Sequence, residues 1–111
     1  EDLRFVTAAA LASVYVSYFE GFGIPIVEAF KCNTPVITSN VTSMPEVAAD
    51  AALLVDPFSV ESIANAMEKV LDEEVRNELI EKGRRRREDF SWDKAAEKWW
   101  KVIETQGRKN I

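Results

Sequence analysis

Apolar and polar residues follow one another along this chain in a pattern that predicts strands and helices in turn. Residues 12–17 form a short β-prone run without charges, as in a strand buried on both faces of a parallel sheet. Residues 35–39 and 51–55 are two further short apolar runs. Between and after these runs, apolar residues recur three and four positions apart, which is the spacing of one helix face. The pattern predicts an α/β fold, with a small parallel sheet flanked by helices.

Residues typical of helix starts and helix ends locate the predicted helices more precisely. Pro25 suits the first turn of a helix, where its missing N–H costs nothing, and Asn33 can end that helix, since Asn tolerates the left-handed conformation. The apolar face of this helix is predicted to consist of Ile26, Val27, Ala29 and Phe30. Ser59 and Ser91 are good N-cap residues, and we expect Gly83 to interrupt the helix before the last one. The predicted helices cover residues 1–10, 25–31 and 44–49, a segment after Ser59, a segment from residue 72 or 73, and a segment after Ser91.

Residues 18–29 hold the densest set of candidate functional residues. Glu20 and Glu28 are carboxylates separated by seven residues. Gly21 and Gly23 lie between them and allow a tight turn and a close approach of the backbone to a ligand. The segment follows the carboxyl end of the first predicted strand, where ligands bind in open α/β sheets. We expect a loop that opens a helix, with Glu28 on its first turn and the N–H groups of residues 23–27 facing a phosphate.

A series of motifs, in order along the chain, resembles one known family. The segment from Glu20 to Glu28 resembles the glutamate–seven–glutamate signature of retaining, nucleotide-sugar-dependent glycosyltransferases of group 1 (family 4), which have the GT-B fold of two facing Rossmann-like domains. Residues 34–40, 44–47 and 51–57 resemble that family in order and spacing. Residues 90–92, Phe-Ser-Trp, resemble the usual start of its last helices.

The resemblance implies a function and a domain organisation. Residues 1–111 would be a Rossmann-like donor-binding domain, lacking its first strands and the N-terminal domain that supplies most of the acceptor site. The whole enzyme would transfer a hexose from a nucleotide-sugar to a glycan or lipid-linked acceptor, and the isolated chain would be inactive. The alternative is a non-catalytic nucleotide-sugar-binding module or a self-assembling fragment. A dehydrogenase is disfavoured because no Gly-x-Gly-x-x-Gly follows a predicted strand.

The family also implies roles for individual residues. Glu28 would accept hydrogen bonds from the ribose hydroxyls, which suits a bidentate acceptor. Glu20 would be the catalytic carboxylate, beside the transferred sugar and the leaving phosphate. Ser17 is a further donor-binding candidate, and capping of the turn is its alternative role. The resemblance implies no metal or other cofactor. The backbone that would contact phosphate and sugar hydroxyls belongs to Gly21, Phe22, Gly23 and Ile24.

Composition restricts the other classes of function. The 111 residues include no histidine, which excludes Ser-His-Asp triads and histidine metal sites within the chain. The single cysteine, Cys32, fits a reducing compartment such as the cytoplasm and is expected to be a buried structural thiol. Residues 1–60 carry seven acids and two bases, a net charge of −5, which argues against a nucleic-acid partner. The cations that bind phosphate in the resembled family are expected upstream of this chain.

Charges, aromatic residues and a strand edge suggest further contacts. Residues 84–87 are four arginines, which could meet anionic lipid at the inner face of a membrane. Their acidic flanks favour a solvated helix end instead. Trp100 is expected at the interface with the N-terminal domain, and an exposed edge of the first strand would drive dimerisation. The last helix is predicted to bury Trp92, Ala95, Ala96, Trp99, Val102 and Ile103.

Overall fold

The computed structural model describes residues 2–19, 21 and 23–109, which form alternating strands and helices. The described strands make one parallel sheet in the order β1-β2-β3. The predicted fold class, a parallel sheet flanked by helices, is therefore confirmed. The elements are α1 (Asp2–Ala9), β1 (Ser13–Tyr15), α2 (Ile24–Lys31), β2 (Val36–Ser39), α3 (Met44–Ala48), β3 (Ala52–Val55), α4 (Val60–Lys69), α5 (Glu73–Arg87), a 3₁₀ turn (Glu88–Phe90) and α6 (Trp92–Lys109).

The strand register decides which loops and helix ends meet. Ser13 pairs with Val36, and Val36 pairs with Ala52, so the three strands start at one edge of the sheet. The loops that leave the strands therefore meet at the other edge, called here the carboxyl edge. The ends of α2 and α3 each precede a strand and lie at the edge where the strands start, called here the amino edge.

The sheet separates two clusters of buried side chains. Neighbouring residues of a strand point to opposite faces. Val36 accordingly packs with α2 and α3, while Ile37 packs with residues of α4 and α5. All four residues of β2 are buried, so the core is centred on this strand. The predicted inner face of α2 is also confirmed, because its four residues are buried: Ile26, Val27, Ala29 and Phe30.

β1 is shorter and more exposed than predicted. It ends at Tyr15, and the side chain of Val14 is 47% exposed, so the prediction of burial on both faces is wrong. The reason is that, in the described part of the chain, β1 pairs with β2 alone. Beyond Tyr15, side chains of β2 replace the backbone ladder. Thr38 Oγ1 donates to the Tyr15 carbonyl at 2.7 Å, and Ser39 Oγ donates to the Ser17 carbonyl at 2.6 Å.

Side-chain caps start three of the helices. Ser59 Oγ accepts a hydrogen bond from the Ser62 N–H at 3.1 Å, which confirms the predicted start of α4. Asp72 Oδ1 accepts from the Glu74 N–H at 2.9 Å before α5. Ser91 Oγ accepts from the Lys94 N–H at 3.1 Å before α6. Each cap satisfies an N–H group that has no partner within its helix.

α5 runs without interruption through Gly83, so the predicted break is wrong. Gly83 is buried against Phe30 of α2. A Cβ atom at this position would lie 3.1 Å from Phe30 Cδ1. The glycine therefore allows α2 and α5 to approach each other closely, which outweighs its low helix propensity.

Arg86 binds α5 to the end of α3. Its Nη2 donates to the Glu46 carbonyl at 2.7 Å, and its Nε donates to the Val47 carbonyl at 2.9 Å. Carbonyl groups in the last turn of a helix have no partner within the helix, so the guanidinium satisfies two of them. It also pairs with Asp89 at 2.8 Å and lies 4.8 Å from the centre of the Phe90 ring.

Asn33 binds the end of α2 to the same arginine run. Its φ of 56° is in the left-handed region, as predicted for a residue that ends a helix. Its Oδ1 accepts from Arg87 Nη1 at 3.1 Å and from Arg84 Nε at 3.4 Å. Residues 84, 86 and 87 of the run thus make contacts at the amino edge of the sheet. These contacts support the helix-end interpretation over contact with lipid.

Several predictions of burial are wrong in the described part of the chain. Trp99, Val102 and Ile103 of α6 were expected to face the core but are each more than half exposed. α6 follows the 3₁₀ turn and extends away from the sheet. The described residues therefore provide no surface that covers its apolar stripe. Trp100 is exposed as expected. Cys32 is partly exposed rather than buried.

We predict that Arg86→Ala lowers the free energy of unfolding of this chain by about 2 kcal/mol, because the variant leaves two helix-end carbonyl groups without their charged donor. Urea unfolding followed by circular dichroism measures the change. Arg85→Ala is the matched control, since Arg85 is exposed in the same run, and should change the value by less than about 0.5 kcal/mol. Equal losses in the two variants would contradict a specific role for Arg86.

Candidate functional site

The loop from β1 to α2 lies at the carboxyl edge and ends in a strained turn. Gly23 has φ 86° and ψ 48°, in the left-handed region, and directly precedes the first residue of α2. The residue is buried, and a Cβ atom there would lie 3.0 Å from Ile26 Cδ1. Gly21 is exposed, its φ is not in that region, and a Cβ atom would meet nothing within 4 Å. Of the two glycines, Gly23 is the one whose conformation the turn requires.

The start of α2 offers fewer N–H groups than predicted. Pro25 has none, and the Ile26 N–H donates to the Gly23 carbonyl at 3.0 Å. Two of the five positions expected to face a phosphate are therefore not available. Of the three that remain, Val27 is buried, and the N–H groups of Gly23 and Ile24, which come first at this helix end, are the candidates for an anion.

Glu28 lies one turn further along α2 than predicted. α2 starts at Ile24, so Glu28 is its fifth residue and belongs to the second turn. Its side chain is exposed. Ile24 and Glu28, two of the predicted site residues, line the same groove with Lys31, because residues three, four and seven positions apart share a helix face. The helix presents a carboxylate and a cation on one exposed face.

The groove lies between α2 and the start of α6 and has a volume of about 530 Å³. Phe90 provides an apolar wall, and Lys98 of α6 adds a second cation. Lys98 comes from the second half of the sequence and adds its charge to that of Lys31, one of the two bases in the acidic first half. Lys98 was not predicted as a site residue, because it is 70 positions from Glu28 and only folding places it there. The lining residues are Ile24, Val27, Glu28, Lys31, Asp89, Phe90, Ser91, Ala95 and Lys98.

Ser17 is held by hydrogen bonds within the protein. Its N–H donates to Ser39 Oγ at 2.9 Å, and its own Oγ donates to the Phe19 carbonyl at 3.1 Å. These contacts fit its alternative role as a cap of the turn. Ser17 does not line the groove that contains Ile24 and Glu28. Its part in donor binding stays a prediction.

Glu20 and Phe22 lie outside the described residues. The predicted roles of Glu20 as the catalytic carboxylate and of Phe22 as a donor contact therefore stay predictions. Of the residues beside them, Gly21 is exposed and Gly23 is buried directly before α2.

An aromatic contact joins two loops of the carboxyl edge and was not predicted. Tyr18 follows β1, and Phe58 follows β3. Their rings are stacked, with 4.7 Å between the centroids and 11° between the planes. The position of Phe58 after a predicted strand could have placed it at this edge, but no sequence signal pairs it with a residue 40 positions away.

The described residues form neither a metal centre nor a membrane-spanning helix. No group of three or more carboxylates or thiols is placed to hold a metal ion among them. No helix among them is long and apolar enough to cross a membrane.

Comparison with known proteins places the chain in a family. Residues 1–86 match the family described as "Glycosyl transferases group 1". The O-antigen chain mannosyltransferase B of Escherichia coli is 45% identical over 94 residues, which are 84% of this chain and 25% of that protein. The chain therefore spans about a quarter of the length of this relative.

Two solved structures share the fold. The sucrose-phosphate synthase of Thermosynechococcus elongatus superposes with a TM-score of 0.73 and 31% identity, over 88% of this chain and 26% of that one. WaaG, a glycosyltransferase involved in lipopolysaccharide biosynthesis, superposes with a TM-score of 0.71 and 26% identity, over 82% of this chain and 26% of that one.

We predict that Gly23→Ala lowers the free energy of unfolding by about 1–2 kcal/mol, because an L-residue must adopt the left-handed conformation against Ile26. Gly21→Ala is the matched control in the same loop and should leave stability unchanged or slightly raised. Thermal unfolding of the two variants measures the difference. A fully stable Gly23→Ala variant would show that the turn before α2 does not need this conformation.

Proposed function

The chain belongs to the group 1 glycosyltransferases, and from this membership we propose that the protein containing it transfers a hexose from a nucleotide-sugar to a glycan or lipid-linked acceptor. The chain would supply the donor-binding side of the site. The observation that carries the proposal is the junction of β1 and α2. It combines a left-handed Gly23 at the carboxyl edge with an exposed Glu28 on the helix that follows.

The chemistry of these residues fits the two ends of a nucleotide-sugar. We propose that Glu28 accepts hydrogen bonds from the two ribose hydroxyls, since an ionised carboxylate is a bidentate acceptor. The N–H groups of Gly23 and Ile24 would meet the diphosphate, where the helix dipole favours negative charge. Gly21 and Phe22 would contact the sugar hydroxyls through their backbone. Ser17 is proposed as a further donor contact from the start of this loop.

The reaction itself would depend on electrostatic stabilisation. Cleavage of the bond between sugar and phosphate leaves negative charge on the departing diphosphate, and preorganised N–H groups at the start of α2 would stabilise it. The sugar gains oxocarbenium character, and we propose that Glu20 stabilises and positions it. A retaining outcome and a reaction without a metal cofactor are both parts of this proposal.

The activity of a relative suggests a substrate class. A mannosyltransferase of O-antigen chains is 45% identical over the shared region, so we propose mannose as the first sugar to test and a glycan as the acceptor. A cytoplasmic location fits the single cysteine. Contact with the inner face of a membrane would have to use surfaces other than Arg84, Arg86 and Arg87, which are engaged at the amino edge.

The alternative function is a binding module without catalysis. The core of the described chain packs around three strands. The sequence identifies a donor-facing loop in this chain and does not identify an acceptor surface. The alternative is therefore a chain that binds a nucleotide-sugar and transfers nothing by itself. The same donor-binding residues serve both proposals, so transfer of the sugar to an acceptor is the observation that distinguishes them.

We predict that Glu28→Ala weakens nucleotide-sugar binding by about 10-fold or more, because hydrogen bonds to a charged group contribute about 1.5–3 kcal/mol. Ligand-observed NMR of the chain with GDP-, UDP- and ADP-sugars measures the affinity and identifies the base. Addition of EDTA should leave the affinity unchanged.

The matched control for this experiment is Glu46→Ala. Glu46 is an exposed acid in the first turn of α3, and its loss should not alter binding. Equal weakening by the two substitutions would indicate a general charge effect and would contradict the ribose contact. A folded wild-type chain that binds none of the three nucleotides would contradict the proposal that these residues form the donor site.

We also propose that the chain pairs with a second copy along β1. In the described residues β1 is an edge strand, and Leu11 and Val14 are about half exposed beside it. Unpaired strand edges with apolar side chains favour association.

We predict that sedimentation velocity shows a dimer that Val14→Lys converts to a monomer, because an edge lysine blocks pairing. Leu71→Lys is the control, since Leu71 is exposed after α4 and should leave the dimer intact. A wild-type chain that is monomeric at every concentration would contradict the proposal.

A further inference from the structure

Two stacked aromatic rings project from the carboxyl edge of the sheet. Tyr18 and Phe58 are 65% and 74% exposed although their rings are 4.7 Å apart. The planes are 11° from parallel, so each ring covers one face of the other and leaves its second face to solvent. A contiguous exposed apolar surface, such as two stacked rings, is a feature of interaction sites.

Hydrogen bonds in the following turn hold Phe58 in position. Its N–H donates to Asp56 Oδ1 at 2.9 Å. The Asp56 N–H donates to Ser62 Oγ at 3.1 Å, and the Ser62 N–H donates to Ser59 Oγ at 3.1 Å. The ring therefore leaves a turn that is anchored to the start of α4. An aromatic side chain with two torsion angles on an anchored turn loses little entropy when it binds a ligand.

The position of the pair indicates which ligand it meets. Tyr18 is two residues before Glu20, which we assign to the transferred sugar, and ten residues before Glu28, which we assign to the ribose. The pair is thus adjacent in sequence to the sugar end of the donor, where an acceptor has to arrive. A pyranose ring offers an apolar face of C–H groups with hydroxyls at its rim, and such a face complements an aromatic ring that is negative at its centre.

We propose that Tyr18 and Phe58 form a stacking platform for a sugar ring of the acceptor glycan. The proposal rests on the proposed function, because the position of the acceptor is defined by the donor. It adds two acceptor-binding residues in the donor-binding domain. They would orient the acceptor without taking part in bond cleavage.

The test measures acceptor and donor binding separately in the complete protein that contains this chain. A mannose oligosaccharide is titrated in one series and GDP alone in the other, by isothermal titration calorimetry. Tyr18→Ala and Phe58→Ala should each raise the Kd of the oligosaccharide about 10-fold, which corresponds to about 1.4 kcal/mol. The Kd of GDP should stay within about twofold of the wild type.

Two variants control the test. Phe58→Tyr keeps the ring and should bind the oligosaccharide like the wild type. Phe5→Ala removes an equally exposed phenylalanine from α1, away from the carboxyl edge, and should change neither affinity. Thermal unfolding of all four variants confirms that each is folded.

The outcomes separate this proposal from the proposed function. Equal weakening of GDP and oligosaccharide would make the pair part of the donor site and would overturn the acceptor platform. Unchanged oligosaccharide binding in both alanine variants would also overturn it. A wild-type protein that binds no nucleotide of any base would overturn the proposed function, whatever the two aromatic residues bind.

Discussion

The contact between α5 and the ends of α2 and α3 is the constraint on which the rest of the structure depends. Arg86 donates to two carbonyl groups at the end of α3, and Arg87 reaches Asn33 at the end of α2. Gly83 lets α5 lie directly against Phe30 in the last turn of α2. The end of α2 is therefore fixed at the amino edge, and because the helix is rigid, this fixes the direction in which its first turn points at the carboxyl edge.

Sequence patterns predicted the parts of the fold that are packed within the described chain. The inner face of α2 was predicted in full, because each apolar residue of its stripe meets the sheet or α5. The same reasoning placed Trp99 and Ile103 in the core, and there it was wrong. An apolar stripe shows that a helix has a face to bury, but it does not show which surface covers that face. α6 has no such surface among the described residues.

The candidate site was predictable where it is local and not where it joins distant segments. Gly23 and Pro25 predicted the turn and the start of α2 from adjacent residues, with an error of one residue that moved Glu28 into the second turn. The groove at Glu28 also needs Lys98, and the aromatic platform needs Tyr18 and Phe58 from different loops. Contacts of this kind are created by the strand order, which brings loops after β1 and β3 to one edge, so no local pattern contains them.

The two edges of the sheet carry different kinds of contact. At the amino edge, arginine side chains donate to backbone carbonyl groups and to the Asn33 amide oxygen, so a change there acts first on folding. At the carboxyl edge, Gly23 adopts a left-handed conformation that glycine takes without steric cost, and the Tyr18 and Phe58 side chains are mostly exposed. Binding residues are common on loops that a rigid scaffold positions. Substitutions of Tyr18 and Phe58 should therefore leave α2 in place, because the helix contacts at the opposite edge hold it.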